Sequence, residues 1–101
     1  MATVSFAHAV REKLREWGPV AVRIGMRDEF VAAVREMDDR LRSDPESWGD
    51  PVRDYRGLHL TRYYRYGPLL TVDYAVHLDG TSVFVLDVHL TPGTPLHDAA
   101  G

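Results

Sequence analysis

Three alternating runs in the second half of the chain constrain the fold more than any other feature of the sequence. They extend from Leu58 to Tyr66, from Leu70 to Leu78 and from Ser82 to Leu90. Gly67-Pro68 separates the first two runs and Asp79-Gly80 separates the last two, and both dipeptides are strong turn formers. The pattern predicts three consecutive strands joined as an antiparallel meander.

The first half of the chain has helical periodicity instead. Apolar residues recur at three- and four-residue spacing, which predicts amphipathic helices over Ser5 to Trp17 and Arg27 to Arg42. Gly18-Pro19 is predicted to end the first helix. Residues Pro19 to Met26 alternate like a strand, but Pro19 also suits the first position of a longer second helix, and we favour helix. The predicted fold class is α+β, with two N-terminal helices packed on one face of an antiparallel β-meander of three to four strands.

Size and composition fit one folded unit. The 101 residues suffice for a single core, and 45% hydrophobic with 27% charged residues is ordinary globular composition. We therefore expect a single domain over residues 1–101. Asp44 to Asp54 is predicted to be a linking loop anchored by Trp48, and residues 91–101, which contain several prolines and glycines, are predicted to be a loose tail.

The absence of cysteine limits the possible chemistry. It excludes a disulfide scaffold and a thiol nucleophile, and it fits a reducing cytosol. No apolar run approaches the roughly 18 to 20 residues that span a bilayer, so we expect a cytoplasmic protein with no membrane partner. The formal net charge is −3, so nucleic-acid binding needs a local basic patch.

The faces of the meander follow from the rule that its apolar positions share the helix-covered side. The predicted core positions are Leu58, Leu60, Tyr64, Leu70, Val72, Tyr74, Val76, Phe84, Leu86, Val88 and Leu90. This alignment needs a three-residue loop at each turn. It places Val72 opposite Val88 and Val76 opposite Phe84. It also places Tyr64 opposite Val72.

The opposite face is then predicted to be polar. Its cross-strand rows are Arg65 with Thr71 and His89, Tyr63 with Asp73 and Asp87, and His59 with His77. Asp73, Asp87 and His89 lie close enough in this register for acid–base chemistry or a divalent cation. The alternative is that Tyr63 and Arg65 satisfy the two acids. The two facing histidines are interpreted as solvent-exposed strand residues, and we assign no metal and no cofactor.

A basic and aromatic stretch surrounds the first strand of the meander. Residues 52–66 carry four arginines against one aspartate, a local net charge of +3, interleaved with four tyrosines. The arginines are Arg53, Arg56, Arg62 and Arg65. Arginine holds phosphate and tyrosine stacks on unpaired bases, so this composition suits a single-stranded RNA surface. The alternative is that the tyrosines are ordinary strand formers and the arginines pair with nearby acids.

Three segments carry a family resemblance. They run Asp44-Pro45-x-x-Trp48-Gly49-Asp50-Pro51, Arg62-Tyr-Tyr-Arg65-Tyr-Gly67-Pro-Leu-Leu-Thr-Val-Asp-Tyr74-Ala-Val and Val83-Phe-Val-Leu-Asp-Val-His89. With the two helices before them, they resemble the RelE/ParE superfamily of small bacterial toxins over Phe6 to Leu90. The resemblance implies a toxin of a toxin–antitoxin pair, neutralised by an antitoxin that wraps it. In one branch the open sheet face cuts messenger RNA at the ribosome without metal, and another branch poisons DNA gyrase.

The family's functional residues match this chain only in part. Arg65 stands near the basic residue of the first meander strand, and Arg62 adds to it, but the next arginine falls at Leu70 or Thr71. The late basic residue falls near Thr91, and the late tyrosine is absent. The resemblance therefore implies a toxin-like protein that acts by binding.

Two enzymatic alternatives remain open. The first is a RelE-like ribonuclease in which Arg62, Arg65 and His89 are catalytic. The second is a small acid–base or metal enzyme on the open sheet face. The residues assigned to binding are Arg53, Arg56, Tyr63, Asp73 and Asp87. The expected partners are an antitoxin protein, RNA on the ribosome or DNA gyrase, and a second copy of the chain.

Overall fold

The computed structural model describes residues 2–100, except for the side chain of Arg56. Within these residues the order of elements is β1 (Thr3–Phe6), α1 (His8–Arg23), α2 (Arg27–Ser43), α3 (Pro45–Trp48), β2 (Asp50–Tyr55), a 3-10 turn (Arg56–Leu58), β3 (Leu60–Tyr66), β4 (Leu70–His77), β5 (Ser82–Leu90) and α4 (Pro95–Ala100). The described strands form one five-stranded sheet in the order β1-β5-β4-β3-β2. The α+β class and the antiparallel meander β3-β4-β5 are confirmed.

The sheet has an edge strand that the sequence does not predict. β1 pairs in parallel with β5, from Thr3 opposite Ser82 to Phe6 opposite Val85. A parallel pair needs a long crossover, which here is supplied by the whole segment from α1 to β4. The sheet is therefore mixed and not a pure meander, and the first helix begins at His8 and not at Ser5.

The first helix also ends later than predicted. α1 continues through Gly18-Pro19 to Arg23, so the prediction that this dipeptide ends the helix is wrong. Residues 19–23 are helical, as favoured, but they form the end of α1 and not the start of a longer second helix. Pro19 is exposed, so its ring lies outside the core. α2 spans Arg27–Ser43, one residue longer than predicted. No helix within residues 2–100 is long and apolar enough to cross a membrane.

The core lies between the two long helices and one face of the sheet. Its fully buried side chains include Val10, Met37, Leu41, Val72, Tyr74, Val76, Val83, Val85 and Val88. The predicted positions on β4 and the late positions on β5 are confirmed. Phe84 and Leu86 are exposed, so their assignment to the core is wrong.

A β-bulge explains the error on β5. Val72 pairs with Val88 and Asp73 with Asp87, as predicted, but Tyr74 pairs with Val85. Leu86 is therefore the extra residue of the bulge, and the pairing slips by one beyond it. Val76 lies opposite Val83 and not opposite Phe84.

The register of β3 differs from the prediction by one residue. Gly67 N–H donates to Leu70 O, which leaves Pro68 and Leu69 as a two-residue turn instead of a three-residue loop. Tyr63 then pairs with Tyr74 and Tyr64 with Asp73. A one-residue slip exchanges the two faces, so Leu58, Leu60 and Tyr64 are not core residues.

The predicted loop and tail both contain regular structure. Residues 44–54 form α3 and most of β2, and Trp48 is buried against Tyr74 with 5.9 Å between ring centroids, which confirms its anchoring role. Residues 95–100, which were expected to be loose, form α4, and its Leu96 is fully buried.

Candidate functional site on the open sheet face

The sheet face opposite α1 and α2, called here the open face, carries the chemically informative side chains. Cross-strand pairing places side chains from β3, β4 and β5 on it together: Leu60, Arg62, Tyr64, Tyr66, Thr71, Asp73, Ala75, Phe84, Leu86, Asp87 and His89. Three regions follow one another along this face: an apolar patch, a belt of charged groups and an aromatic cleft. Each has different chemistry.

The charged region, called here the ion-pair belt, consists of Lys13, Arg62, Asp73, Asp87 and His89. Arg62 holds Asp73 with two hydrogen bonds, Nε to Oδ1 at 2.8 Å and Nη2 to Oδ2 at 2.5 Å. Asp87 lies directly across from Asp73, as predicted, but its Oδ1 accepts from Lys13 Nζ at 2.7 Å. Each carboxylate therefore has its own cation, which removes the repulsion expected between the two acids.

Lys13 reaches the belt because β1 is short. The pairing of β1 with β5 ends at Val85. Beyond that residue, Lys13 of α1 donates to the backbone oxygen of Val88 over a distance of 3.2 Å. Partial burial disfavours ionisation of Asp87. The hydrogen bonds from Lys13 and from Val88 N–H, together with the nearby His89, outweigh this effect and lower the pKa of Asp87.

His89 is on the open face, as predicted, and it contacts the belt. Its Nε2 lies 3.1 Å from Asp87 Oδ2. Arg62 is on the same face, but the Nε and Nη2 edge of its guanidinium is engaged by Asp73, and that contact raises the pKa of the guanidinium further above its ordinary value. The structure thus brings two of the three predicted catalytic residues to one face.

The third predicted catalytic residue lies on the other face. The Arg65 guanidinium packs over the Trp48 ring at 5.6 Å from its centroid and donates to Trp48 O at 3.4 Å. Tyr63, assigned to binding, is also on the helix side and stacks on Tyr74 at 5.4 Å, where burial raises its pKa. The placement of Arg65 and Tyr63 on the open face is wrong because β3 is shifted by one residue.

The two remaining arginines assigned to binding lie in and just after the edge strand β2. Arg53 pairs across from Arg62, and its guanidinium lies over the Tyr55 ring at 5.3 Å from the centroid. No ion pair within the described part of the chain includes Arg53. The side chain of Arg56 lies outside the described residues, so its assignment stays a prediction.

The apolar patch occupies one end of the open face. A hollow of about 340 Å³ is lined there by Tyr55, Leu58, Leu60, Arg62, Ala75, Phe84 and Leu86. The bulge contributes directly to this surface because it leaves Leu86 on the same side as Phe84. Sequence reasoning missed the patch because it assigned most of these residues to the core.

The aromatic cleft occupies the other end, between the open face, α1 and α4. A cleft of about 470 Å³ is lined by Trp17, Tyr64, Tyr66, Thr71, His89, Leu90, Pro92, His97 and Ala100. Of the predicted site residues whose side chains the structure describes, only His89 lies in it. Tyr64 and Tyr66 were visible in the sequence as strand aromatics, but only the correct register places them here, and α4 brings His97 to the cleft from a segment predicted to be loose.

The described residues contain no cluster of three His, Asp or Glu side chains suited to a metal ion. His59 and His77 have ring centroids 6.3 Å apart, but Leu60 is the residue paired with His77. Comparisons with protein-family models, with curated proteins and with solved structures find no match to this chain. The resemblance to RelE/ParE toxins therefore stays a prediction.

Proposed function

We propose that this protein is a toxin-like component of a toxin–antitoxin pair that acts by binding, and that its antitoxin covers the apolar patch of the open face. The observation that carries the proposal is the patch itself, an exposed apolar surface on a sheet whose other face holds the core. The arrangement of two helices on one side of an open sheet also agrees with the architecture that the resemblance implies.

The large apolar side chains of the patch leave much of their surface exposed to solvent. Phe84 is 38% exposed, Leu86 47% and Leu58 66%, and they surround one hollow. Isolated exposed apolar residues are common, but a contiguous apolar group with a polar rim is typical of a protein interface. The bulge at Leu86 produces this exposure, because regular pairing on β5 would have turned that residue towards the helices.

An unpaired positive charge near the patch indicates that the partner is acidic. Arg53 lies over the Tyr55 ring and across from Arg62, two residues that line the hollow, and it enters no ion pair among the described residues. A partner segment that brings apolar side chains to the hollow and a carboxylate to Arg53 would complement both features. A short acidic antitoxin has this chemistry.

The open face is less suited to RNA cleavage. Arg62 is neutralised by Asp73, and Arg65 packs on Trp48 on the opposite face. The residues described as lining the aromatic cleft include no arginine or lysine. Apart from Arg53 on the edge strand, a phosphodiester would therefore meet paired charges and carboxylates where a nuclease needs free cations.

Co-expression with a genetic neighbour tests the proposal. The candidate antitoxin is the product of a short, acidic reading frame adjacent to the gene for this chain. We expect expression of the chain alone to slow growth and co-expression to restore it, and we expect the two purified proteins to form a complex by calorimetry.

Two matched substitutions locate the interface. Leu86→Glu places a carboxylate in the patch and should weaken the complex at least about tenfold. Val22→Glu adds the same charge at another exposed apolar residue, on α1, and should leave the affinity unchanged. Equal affinity for both variants contradicts the assignment of the patch, and RNA cleavage by the purified chain contradicts action by binding alone.

A further inference from the structure

We infer that the aromatic cleft binds an uncharged planar heteroaromatic molecule, of the nucleobase or nucleoside class, between the Trp17, Tyr64 and Tyr66 rings and the edge of His89. This site is distinct from the apolar patch and does not depend on the proposed antitoxin. It uses side chains to which the proposed function assigns no role. The inference rests on the shape, the hydrogen-bonding groups and the charge of the cleft.

The walls of the cleft are aromatic and partly uncovered. Tyr66 is 65% exposed and Tyr64 is 39% exposed, both on β3, and α1 contributes Trp17. A volume of about 470 Å³ lies in the range of small-molecule sites. Exposed rings around one hollow offer stacking surfaces that accept any flat π-system.

His89 gives the cleft a hydrogen-bonding group. Its Nε2 lies 3.1 Å from Asp87 Oδ2, so the imidazole stands beside a carboxylate. An imidazole nitrogen donates or accepts according to its tautomer, so the ring can pair with a donor or an acceptor on the edge of a ligand. Lys13 Nζ lies 2.7 Å from Asp87 Oδ1, so the carboxylate beside the imidazole is itself held in place.

Charge argues against a phosphate-bearing ligand. Within the described residues, both cations of the ion-pair belt are engaged, Lys13 by Asp87 and Arg62 by Asp73. His97 is accompanied by Asp98 at 3.4 Å. A phosphate would therefore lie near carboxylates without a free partner, whereas a neutral base or nucleoside would bury its ring without that cost.

Titration of the full chain tests the inference. Adenosine, guanosine, cytidine and uridine, their free bases and their 5′-monophosphates are added while tryptophan fluorescence and the His89 resonances are followed. We expect at least one base or nucleoside to bind and to shift His89. Its affinity should exceed that of its monophosphate and should change little between low and high salt, since no counterions are released.

Variants at one position distinguish stacking from other contacts. Tyr66→Leu should weaken binding at least about fivefold, because stacking on an aromatic ring is lost. Tyr66→Phe keeps the ring and should stay within about twofold of the wild type. Tyr66 is exposed, so both variants should melt like the wild type, which thermal unfolding checks.

Four results overturn the inference. The first is no binding of any base or nucleoside at millimolar concentration. The second is tighter binding of monophosphates, or of an RNA strand, with strong salt dependence, which would indicate a polyanion site. The third is equal binding by Tyr66→Leu and the wild type. A proline-rich peptide is included in the titration because such segments also bind aromatic grooves, and preference for it over every base and nucleoside likewise contradicts the inference.

Discussion

The two sides of β3 carry the same kinds of residue and use them in opposite ways. On the helix side, Arg65 packs over the Trp48 ring and Tyr63 stacks on Tyr74. On the open side, Arg62 is held by Asp73, and Tyr64 leaves part of its ring to solvent. The helix side contributes to the core, and the open side leaves groups exposed to solvent.

This difference shows that the composition of a strand does not determine which of its side chains share one surface. The arginines and tyrosines of residues 52–66 look like one continuous basic and aromatic patch when read along the sequence. Because side chains alternate across a sheet, only half of those on β3 reach the open face. Within that half, the neighbouring strands decide whether each charge is free or neutralised.

The largest expected effect is the difference in stability between a substitution on the buried face of the sheet and one on the open face. Tyr74→Ala removes a fully buried ring that contacts Trp48 and Tyr63, and it should lower the free energy of unfolding by about 3 to 5 kcal/mol. Leu86→Ala, on the open face, should change it by less than about 0.5 kcal/mol. Urea unfolding of the two variants measures both values, and a larger loss for Leu86→Ala would mean that the faces are reversed.

The Tyr74 hydroxyl should show a smaller effect and a pH dependence. It donates to Pro45 O and accepts from Gly49 N–H at 2.9 Å, so Tyr74→Phe leaves two backbone groups unpaired and should cost about 1 to 3 kcal/mol.

Burial raises the pKa of Tyr74 from 10.0 to about 12. The folded state therefore holds this proton more tightly than the unfolded state does. Its contribution to stability is complete below pH 10 and is lost as the pH rises towards 12. Unfolding curves across this range should fall less steeply for Tyr74→Phe than for the wild type, and identical slopes would contradict the assigned burial.

Removing the carboxylate that pairs with Arg62 should give the open face an unpaired positive charge. Asp73→Asn removes the carboxylate that engages the Nε and Nη2 edge of the Arg62 guanidinium. The freed guanidinium should bind phosphate, so the slope of log affinity against log salt for single-stranded RNA should steepen by about 0.7. Filter binding at several salt concentrations measures the slope, and an unchanged value would show that the pair does not suppress RNA binding.

The smallest expected effect is on the helix side of β3. Arg65→Ala removes the cation from the Trp48 ring and should lower the free energy of unfolding by about 0.5 to 1 kcal/mol. Affinity for the antitoxin and for a base or nucleoside should not change. A loss of either affinity without a loss of stability would show that Arg65 is a functional residue, as the sequence predicts.

The sequence correctly predicts those elements whose pattern of apolar residues fits only one kind of structure. α2 has a regular apolar stripe, and β4 places Val72, Tyr74 and Val76 at alternate positions, so both were predicted with the correct faces. Trp48 was recognised as an anchor because a large ring in a short polar segment needs a buried contact.

The remaining features depend on information that periodicity does not contain. Residues 83–86 are all apolar, so alternation cannot reveal the bulge at Leu86. β3 has tyrosines in both phases, and its register depends on whether the turn at Pro68 has two or three residues. β1 is four residues long, and its partner is about 80 residues away in the sequence, so nothing local marks it as a strand.

Side-chain contacts around β3 in solution test the central claim most directly. Nuclear Overhauser effects between the Arg65 side chain and the Trp48 ring, and between the Tyr63 and Tyr74 rings, are expected because their centres lie 5.6 and 5.4 Å apart. The Tyr64 ring should show no contact with Trp48 or Tyr74. Contacts from Tyr64 to Trp48 or Tyr74, with none from Tyr63 or Arg65, would place β3 in the other register and contradict the division of its residues between the fold and the open face.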